Sequence, residues 1–185
     1  MKIGSKKTIW IFKKNKIIPM TDSKIYTRWQ LIVLVSLRFL IGWHLLFEGV
    51  SKLLTPNWTS AGFLSESQWI MSGFSQWIIS NSAILIGVDF LNIWGLIAIG
   101  LGLILGLFLR ITTISGSILL FIYYLNNAPI IGIEYSIPSE GNYLIVNKTL
   151  IEAVALLALA IFPTSHIVGL DLFLNRFNKS IKTNK

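Results

Sequence analysis

The chain contains no cysteine, which removes disulfides, thiolate zinc sites, iron–sulfur clusters and thiol redox chemistry from its repertoire. Charge is scarce as well. Only 13% of the 185 residues are Asp, Glu, Lys or Arg, against about 25% in an ordinary soluble domain, too few to cover a soluble surface. Histidine is limited to His44 and His166. Apolar residues are abundant: 54% of the chain is hydrophobic and the mean hydropathy is +0.68. Such a chain takes lipid as its solvent.

The net charge of +8 would suit a nucleic-acid binder if it formed a basic face interleaved with polar readers. Instead eight of the 16 Lys/Arg lie between Lys2 and Arg28, and four more, Arg176, Lys179, Lys182 and Lys185, follow the last apolar run. Charge gathered at the ends of apolar segments is a topology signal, so nucleic acid is excluded as a partner and the lipid bilayer is expected.

Four apolar segments fit spanning helices: Trp29 to Leu54, Val88 to Leu109, Ile111 to Asn126, and Leu144 to Phe162. About 20 residues cross a bilayer, which makes the third marginal, and only Arg110 separates the second from the third. The expected fold is an all-α membrane protein, an antiparallel four-helix transmembrane bundle. Placing the N-terminus inside puts both basic tails and Arg110 on the cytoplasmic side. That leaves Lys52 and Lys148 outside and Arg38 within the first span. The expectation is a multi-pass inner-membrane protein with both termini cytoplasmic. Residues 1–28 form a basic N-terminal tail, 29–173 the membrane domain and 174–185 a basic C-terminal tail. The basic start is too long for a cleaved signal peptide, and no small-residue cleavage site follows the first run. Met20, followed by Thr21-Asp22-Ser23, is a second candidate start.

The outer loop between the first two spans is aromatic. From Glu66 to Ser80, Ile70, Met71, Phe74, Trp77 and Ile78 share one helical face, with Gln68, Ser72, Ser75 and Gln76 on the other. This predicts an interfacial amphipathic segment at the outer headgroups, anchored by Trp58, Trp69 and Trp77.

Polar residues within the spans carry the functional signal. At about 100° per residue, Arg38, His44, Glu48 and Lys52 fall in one sector about 120° wide, with Gly42 and Gly49 on the same side. Leu40, Trp43, Leu46, Phe47 and Val50 fill the opposite arc, so one face looks into the bundle and the other into lipid. Arg38 lies about 13 Å along the helix from Trp29, deep enough to require a carboxylate, backbone carbonyls or a water-filled cavity. The last span carries a matching stripe of Asn147, Lys148, Glu152, Ala155 and Ala158. Glu48, Lys52, Lys148 and Glu152 then form an expected four-charge cluster whose signs cancel, as low dielectric requires. The plainer reading of Glu48 and Lys52 is a boundary ion pair at i, i+4. Asp89 and Asn92 mark an outer polar rim. Gly95, Gly102 and Gly106 form a small-residue stripe that suits close helix contact. Thr113, Gly116, Ser117 and Tyr124 line one side of the third span, from which the Tyr124 hydroxyl is placed to reach the cluster, while Tyr123 suits the interfacial belt.

His44 and His166 belong to opposite halves of the membrane, so they cannot ligate one haem iron, and no metal site is expected. His44 with Glu48 suits proton handling.

Arg38-x3-Gly42-x-His44-x3-Glu48-Gly49-x2-Lys52-Leu53, Pro56-x-Trp58, Asn92-x-Trp94-Gly95-Leu96 and Gly106-Leu107-Phe108-x-Arg110 together resemble the DoxX/DoxD family of bacterial membrane proteins. Asn142-Tyr143-x2-Val146-Asn147-Lys148-x2-Ile151-Glu152 and Gly169-Leu170-Asp171 extend the likeness over roughly Leu31 to Phe173. The resemblance implies a four-helix inner-membrane protein linked to respiratory or sulfur redox chemistry, in a family that includes a subunit of thiosulfate:quinone oxidoreductase. Three readings stay open. The first is a membrane subunit of a redox complex, not catalytic alone, with a pocket for quinone or a similar molecule among Arg38, His44, Glu48, Lys52, Tyr124, Asn147, Lys148 and Glu152 and no covalently bound cofactor. The second is an anchor or scaffold for a protein partner or a second copy. The third is a small-solute or proton-coupled transporter, for which inverted repeats and broken helices are lacking.

Overall fold

A computed structural model describes residues 26–129 and 144–172. Six helices follow in order: α1 (Arg28–Leu54), α2 (Ala61–Ser65), α3 (Ser72–Ser80), α4 (Ser82–Leu105), α5 (Leu109–Asn126) and α6 (Lys148–Ile161). No strand is found among the described residues. The two basic tails, and Asn142 and Tyr143 of the quoted motif, lie outside them, apart from Arg28 and its neighbours at the start of α1.

Three of these helices, α1, α4 and α5, are long and apolar enough to cross a membrane. Their outward faces carry the large apolar side chains that lipid would cover, among them Phe39, Trp43 and Phe47 on α1 and Ile86, Phe90 and Trp94 on α4. The expected fourth span contains α6, whose 14 residues cover about 21 Å at 1.5 Å per residue. Helix α1 starts where its sequence says it should: Thr27 accepts from the Gln30 N–H while the Gln30 side chain accepts from the Thr27 N–H, a reciprocal cap that satisfies two orphan donors.

Packing is pairwise, with α1 along α4 and α5 along α6, and α4 touching α5, while α1 meets α6 only sparsely. The α1–α4 contact works because glycines let backbones approach. A Cβ on Gly100 would lie 2.8 Å from the Gly42 carbonyl oxygen, and one on Gly49 would lie 2.8 Å from Ile97. Gly42 and Gly49 therefore face α4. The expected stripe of Gly95, Gly102 and Gly106 does not act as one surface: Gly95 opens on empty space, Gly102 faces Thr112, and Gly106 faces Gly169 and Arg38. Thr113, Gly116, Ser117 and Tyr124 are all buried on α5. Ser117 Oγ donates to the Ala153 carbonyl of α6 at 2.9 Å. Ile41, Leu45, Leu96, Leu103, Leu120, Leu156 and Leu159 fill the core between them.

Two boundaries differ from expectation. Helix α4 begins at Ser82 and ends at Leu105, because Gly106 adopts the left-handed conformation (φ 65, ψ 44) that ends a helix. The α4–α5 turn is therefore Gly106–Phe108, and Arg110 already belongs to α5. The stretch from Glu66 to Ser80 is not one helix; only Ser72–Ser80 is helical, after a short α2. Ile70, Phe74 and Trp77 are exposed, but Ile78, expected on the same face, and Ser75, expected on the polar one, are both buried. The inward face of α3 is thus Ser75 and Ile78, fixed by a Ser75 Oγ bond of 2.7 Å to Asn126 Oδ1.

Candidate functional site

At the end of α1 nearer its N-terminus, Arg38 is buried, with 3% of its surface exposed. Its Nη1 donates to Thr164 Oγ1 at 3.1 Å and to the Val168 carbonyl at 2.8 Å, while its Nε is buried without a hydrogen bond among the described residues. Backbone carbonyls were one of the three partners its depth required. Around it, Leu170 N–H donates to Leu105 O at 3.0 Å and Asp171 N–H to Gly106 O at 3.2 Å. The Asp171 carboxylate in turn accepts from the Phe108 and Leu109 N–H groups at 2.9 and 3.4 Å, satisfying donors at the α5 N-terminus. Gly106, Gly169 and Asp171 thus form one knot with Arg38, and the sequence reading did not connect them. His166 belongs to the same segment after α6.

Toward the other end of α1, the polar stripes of α1 and α6 meet as two groups and not as one cluster of four charges. In the first, His44 Nδ1 lies 3.0 and 3.1 Å from the two carboxylate oxygens of Glu152, and Lys148 Nζ lies 3.1 Å from His44 Nε2. An ammonium has only protons to offer. Nε2 therefore accepts from Lys148, and the ring proton sits on Nδ1 and donates to Glu152. The side chains of His44 and Glu152 are 34% and 16% exposed. This group occupies the seam where α1 and α6 meet sparsely.

In the second group, Lys52 Nζ contacts Glu48 Oε1 at 3.3 Å and donates to Asn92 Oδ1 at 3.0 Å. It also sits 5.0 Å from the ring centre of Trp58 and 5.4 Å from that of Tyr123, a cation–π arrangement. Glu48 and Lys52 are thus the boundary pair at i, i+4, turned toward α4. Trp58, expected at the headgroups, roofs this lysine, whereas Trp69 and Trp77 remain exposed. Phe63 packs edge-on against Tyr123.

Three further residues have different partners from those expected. The Tyr124 hydroxyl donates to the Ile145 carbonyl at 2.8 Å, away from both groups, and its neighbour Tyr123 faces Lys52. Asp89 is no free rim carboxylate, since it accepts from the Ser60 N–H at 2.7 Å and from the Ser60 hydroxyl. That bond ties the segment between α1 and α4 to α4. Asn147 caps α6 by accepting from Leu150 N–H at 2.9 Å. Asn126, which the sequence reading passed over, donates to the Phe63 carbonyl at 3.1 Å while holding Ser75, and so pins α2 and α3 to the end of α5.

The described residues are helical, with three helices long and apolar enough to cross a membrane, consistent with a multi-pass membrane protein, and they hold a histidine between a carboxylate and an amine. Comparisons of the chain with protein-family models, with curated proteins and with solved structures return no match.

Proposed function

We propose that this is a DoxX-like protein of the bacterial inner membrane, in which α1, α4, α5 and α6 form an antiparallel four-helix bundle with both termini cytoplasmic. In this reading it is the membrane subunit of a redox complex and works with a protein partner or a second copy. A quinone or similar redox molecule binds in the α1–α6 seam. The observation that carries this is His44, with one ring nitrogen on Glu152 and the other on Lys148 and about a third of its side chain exposed. Quinone sites combine an apolar slot with a few polar groups that bond the carbonyls and move protons. Lys148 supplies a donor, and His44 with Glu152 takes and returns protons. The charge distribution of the tails supports the orientation, and the motif resemblance supports the redox setting.

The test is the quinone content of protein purified in mild detergent, against an E152Q variant of equal helicity. Near-stoichiometric quinone in the parent, reduced about tenfold in the variant, is expected from the loss of a charged hydrogen-bonding partner. Quinone at the level of bulk lipid in both removes the pocket. One observation favours the scaffold reading instead: Ile70, Phe74 and Trp77 are exposed on a segment rigidly pinned through Ser60, Ser75 and Asn126. On that reading, replacing Trp69, Phe74 and Trp77 by Ser releases a co-purifying partner, and quinone content is at background from the start.

A further inference from the structure

Lys148 differs from every other described lysine in where its nitrogen is placed. It is the first residue of α6, after the cap Asn147, and no acidic residue stands in that first turn. Lys148 is an exposed residue, and its Nζ bonds to His44 Nε2 at 3.1 Å. Behind the ring, Glu152 takes the Nδ1 proton, which fixes the tautomer with Nε2 facing the amine. Carboxylate, imidazole and proton-bearing nitrogen in line are the arrangement in which imidazole removes a proton as the nucleophile attacks. Lys52 is the internal contrast. Its Nζ is engaged by Glu48 and Asn92 beneath two aromatic rings, and only 14% of its side chain is exposed.

We propose that Lys148 is a nucleophilic amine with His44 as its general base and Glu152 as a positioning residue, and that this site forms an imine with a small carbonyl compound that partitions into the membrane. His44 Nε2 first takes a proton from the Lys148 ammonium. The freed nitrogen lone pair bonds to the carbonyl carbon, and the C=O π pair moves to oxygen, which takes up the proton from His44. The nitrogen of this adduct then gives up a proton to the departing hydroxyl, the C–O bond breaks, water leaves and the C=N bond forms. Ammonium and carbonyl compound become protonated imine and water, with His44 restored to its neutral form and no oxidant or reductant needed. The inference stands apart from the quinone reading, because it requires no bound redox molecule.

The experiment treats the full chain in detergent at neutral pH with limiting propionaldehyde and cyanoborohydride, whose hydride converts the imine into a stable secondary amine. Mass spectrometry of the peptides gives the rate at each lysine, with a lysine-containing reference peptide in the same tube. Lys148 is expected to be alkylated about tenfold faster than the reference, a modest fraction of what a positioned base contributes. In H44Q its rate falls to that of the reference while the Lys52 rate is unchanged. Should H44Q lose helicity by circular dichroism, E152Q supplies the comparison with a several-fold fall. Lys148 reacting no faster than the reference, or at an unchanged rate in a helical variant, overturns the proposal.

Discussion

Arg38 and His44 stand six positions apart on α1, about 9 Å along the helix, yet their surroundings differ in kind. Arg38 is bonded to a backbone carbonyl and a buried hydroxyl, with Gly106 pressed against it and Gly169 pressed against Gly106 in turn. Among the described residues, neither of these two hydrogen-bond partners changes protonation state; the nearby Asp171 carboxylate acts on Arg38 only through its charge. His44 is bonded only to side chains that carry ionisable groups, one on each ring nitrogen, and a third of it is exposed. A polar group held by backbone fixes the fold, because losing it leaves buried acceptors unsatisfied. A group held by titratable side chains at a loosely packed seam can exchange protons and accept a ligand without disturbing the helices. The two ends of α1 therefore differ in role: one holds α1 to the segment after α6, and the other, on the function proposed above, is where the chemistry takes place.

The sharpest way to break this division is to remove one group from each end and compare stabilities in the same detergent. Arg38→Ala leaves a void and two orphaned acceptors, and about 3 kcal/mol or more of stability should be lost, the range for uncompensated buried polar groups. E152Q keeps the shape and a hydrogen-bonding oxygen for His44, so it should cost less than about 1 kcal/mol, while quinone content responds strongly. Thermal unfolding followed by circular dichroism measures both. Equal losses would show that the His44 group is as structural as the Arg38 knot.

Legibility in the sequence followed the same division. Hydropathy placed α1, α4 and α5, because an apolar run of sufficient length has one outcome in lipid. That the polar stripes of α1 and the last span face each other was readable too, but not the pairing: His44, expected with Glu48, is bonded to Glu152, while Glu48 pairs with Lys52. Arg38 was legible only as a need: its acceptor is the Val168 carbonyl, and a backbone carbonyl leaves no trace in side-chain identity. The splitting of the charges was not legible, because a helical wheel gives an angle and not the neighbour that fills it. Lys52 turned to Asn92 on α4 while His44 turned to α6. Tyr123 and Tyr124 differ by one position, about 100° on the helix, and that rotation decided which ring faces Lys52.

Gly106 tests whether the Arg38 end is as tightly specified as its contacts imply. A Cβ there would meet Gly169 Cα at 2.9 Å and Arg38 Nη1 at 3.1 Å, at a φ of +65. Left-handed backbone costs a non-glycine residue about 1–2 kcal/mol, and the contact adds to it. Gly106→Ala should therefore destabilise by about 2–3 kcal/mol. Gly95→Ala, where no atom lies within 4 Å, should instead be neutral or stabilising by up to about 1 kcal/mol, since alanine is the better helix former. Similar unfolding temperatures for the two variants would remove the close-packed knot from the comparison.

The smallest effect is expected two residues further on. Phe108 holds φ 47 and ψ 43, left-handed geometry without glycine's freedom, and its side chain is 58% exposed. Its N–H donates to Asp171, so the backbone has a reason to stay there that the side chain does not share. Phe108→Gly relieves the steric cost, partly offset by the greater freedom glycine has when unfolded. The net result should be a stabilisation of less than about 1 kcal/mol. The direction is informative. A gain, erased when Asp171→Asn weakens the carboxylate that holds the turn, would assign the strain to the hydrogen-bonded knot. A loss would mean that the exposed ring anchors this turn against lipid, making the Arg38 end a lipid contact as well as a fold device.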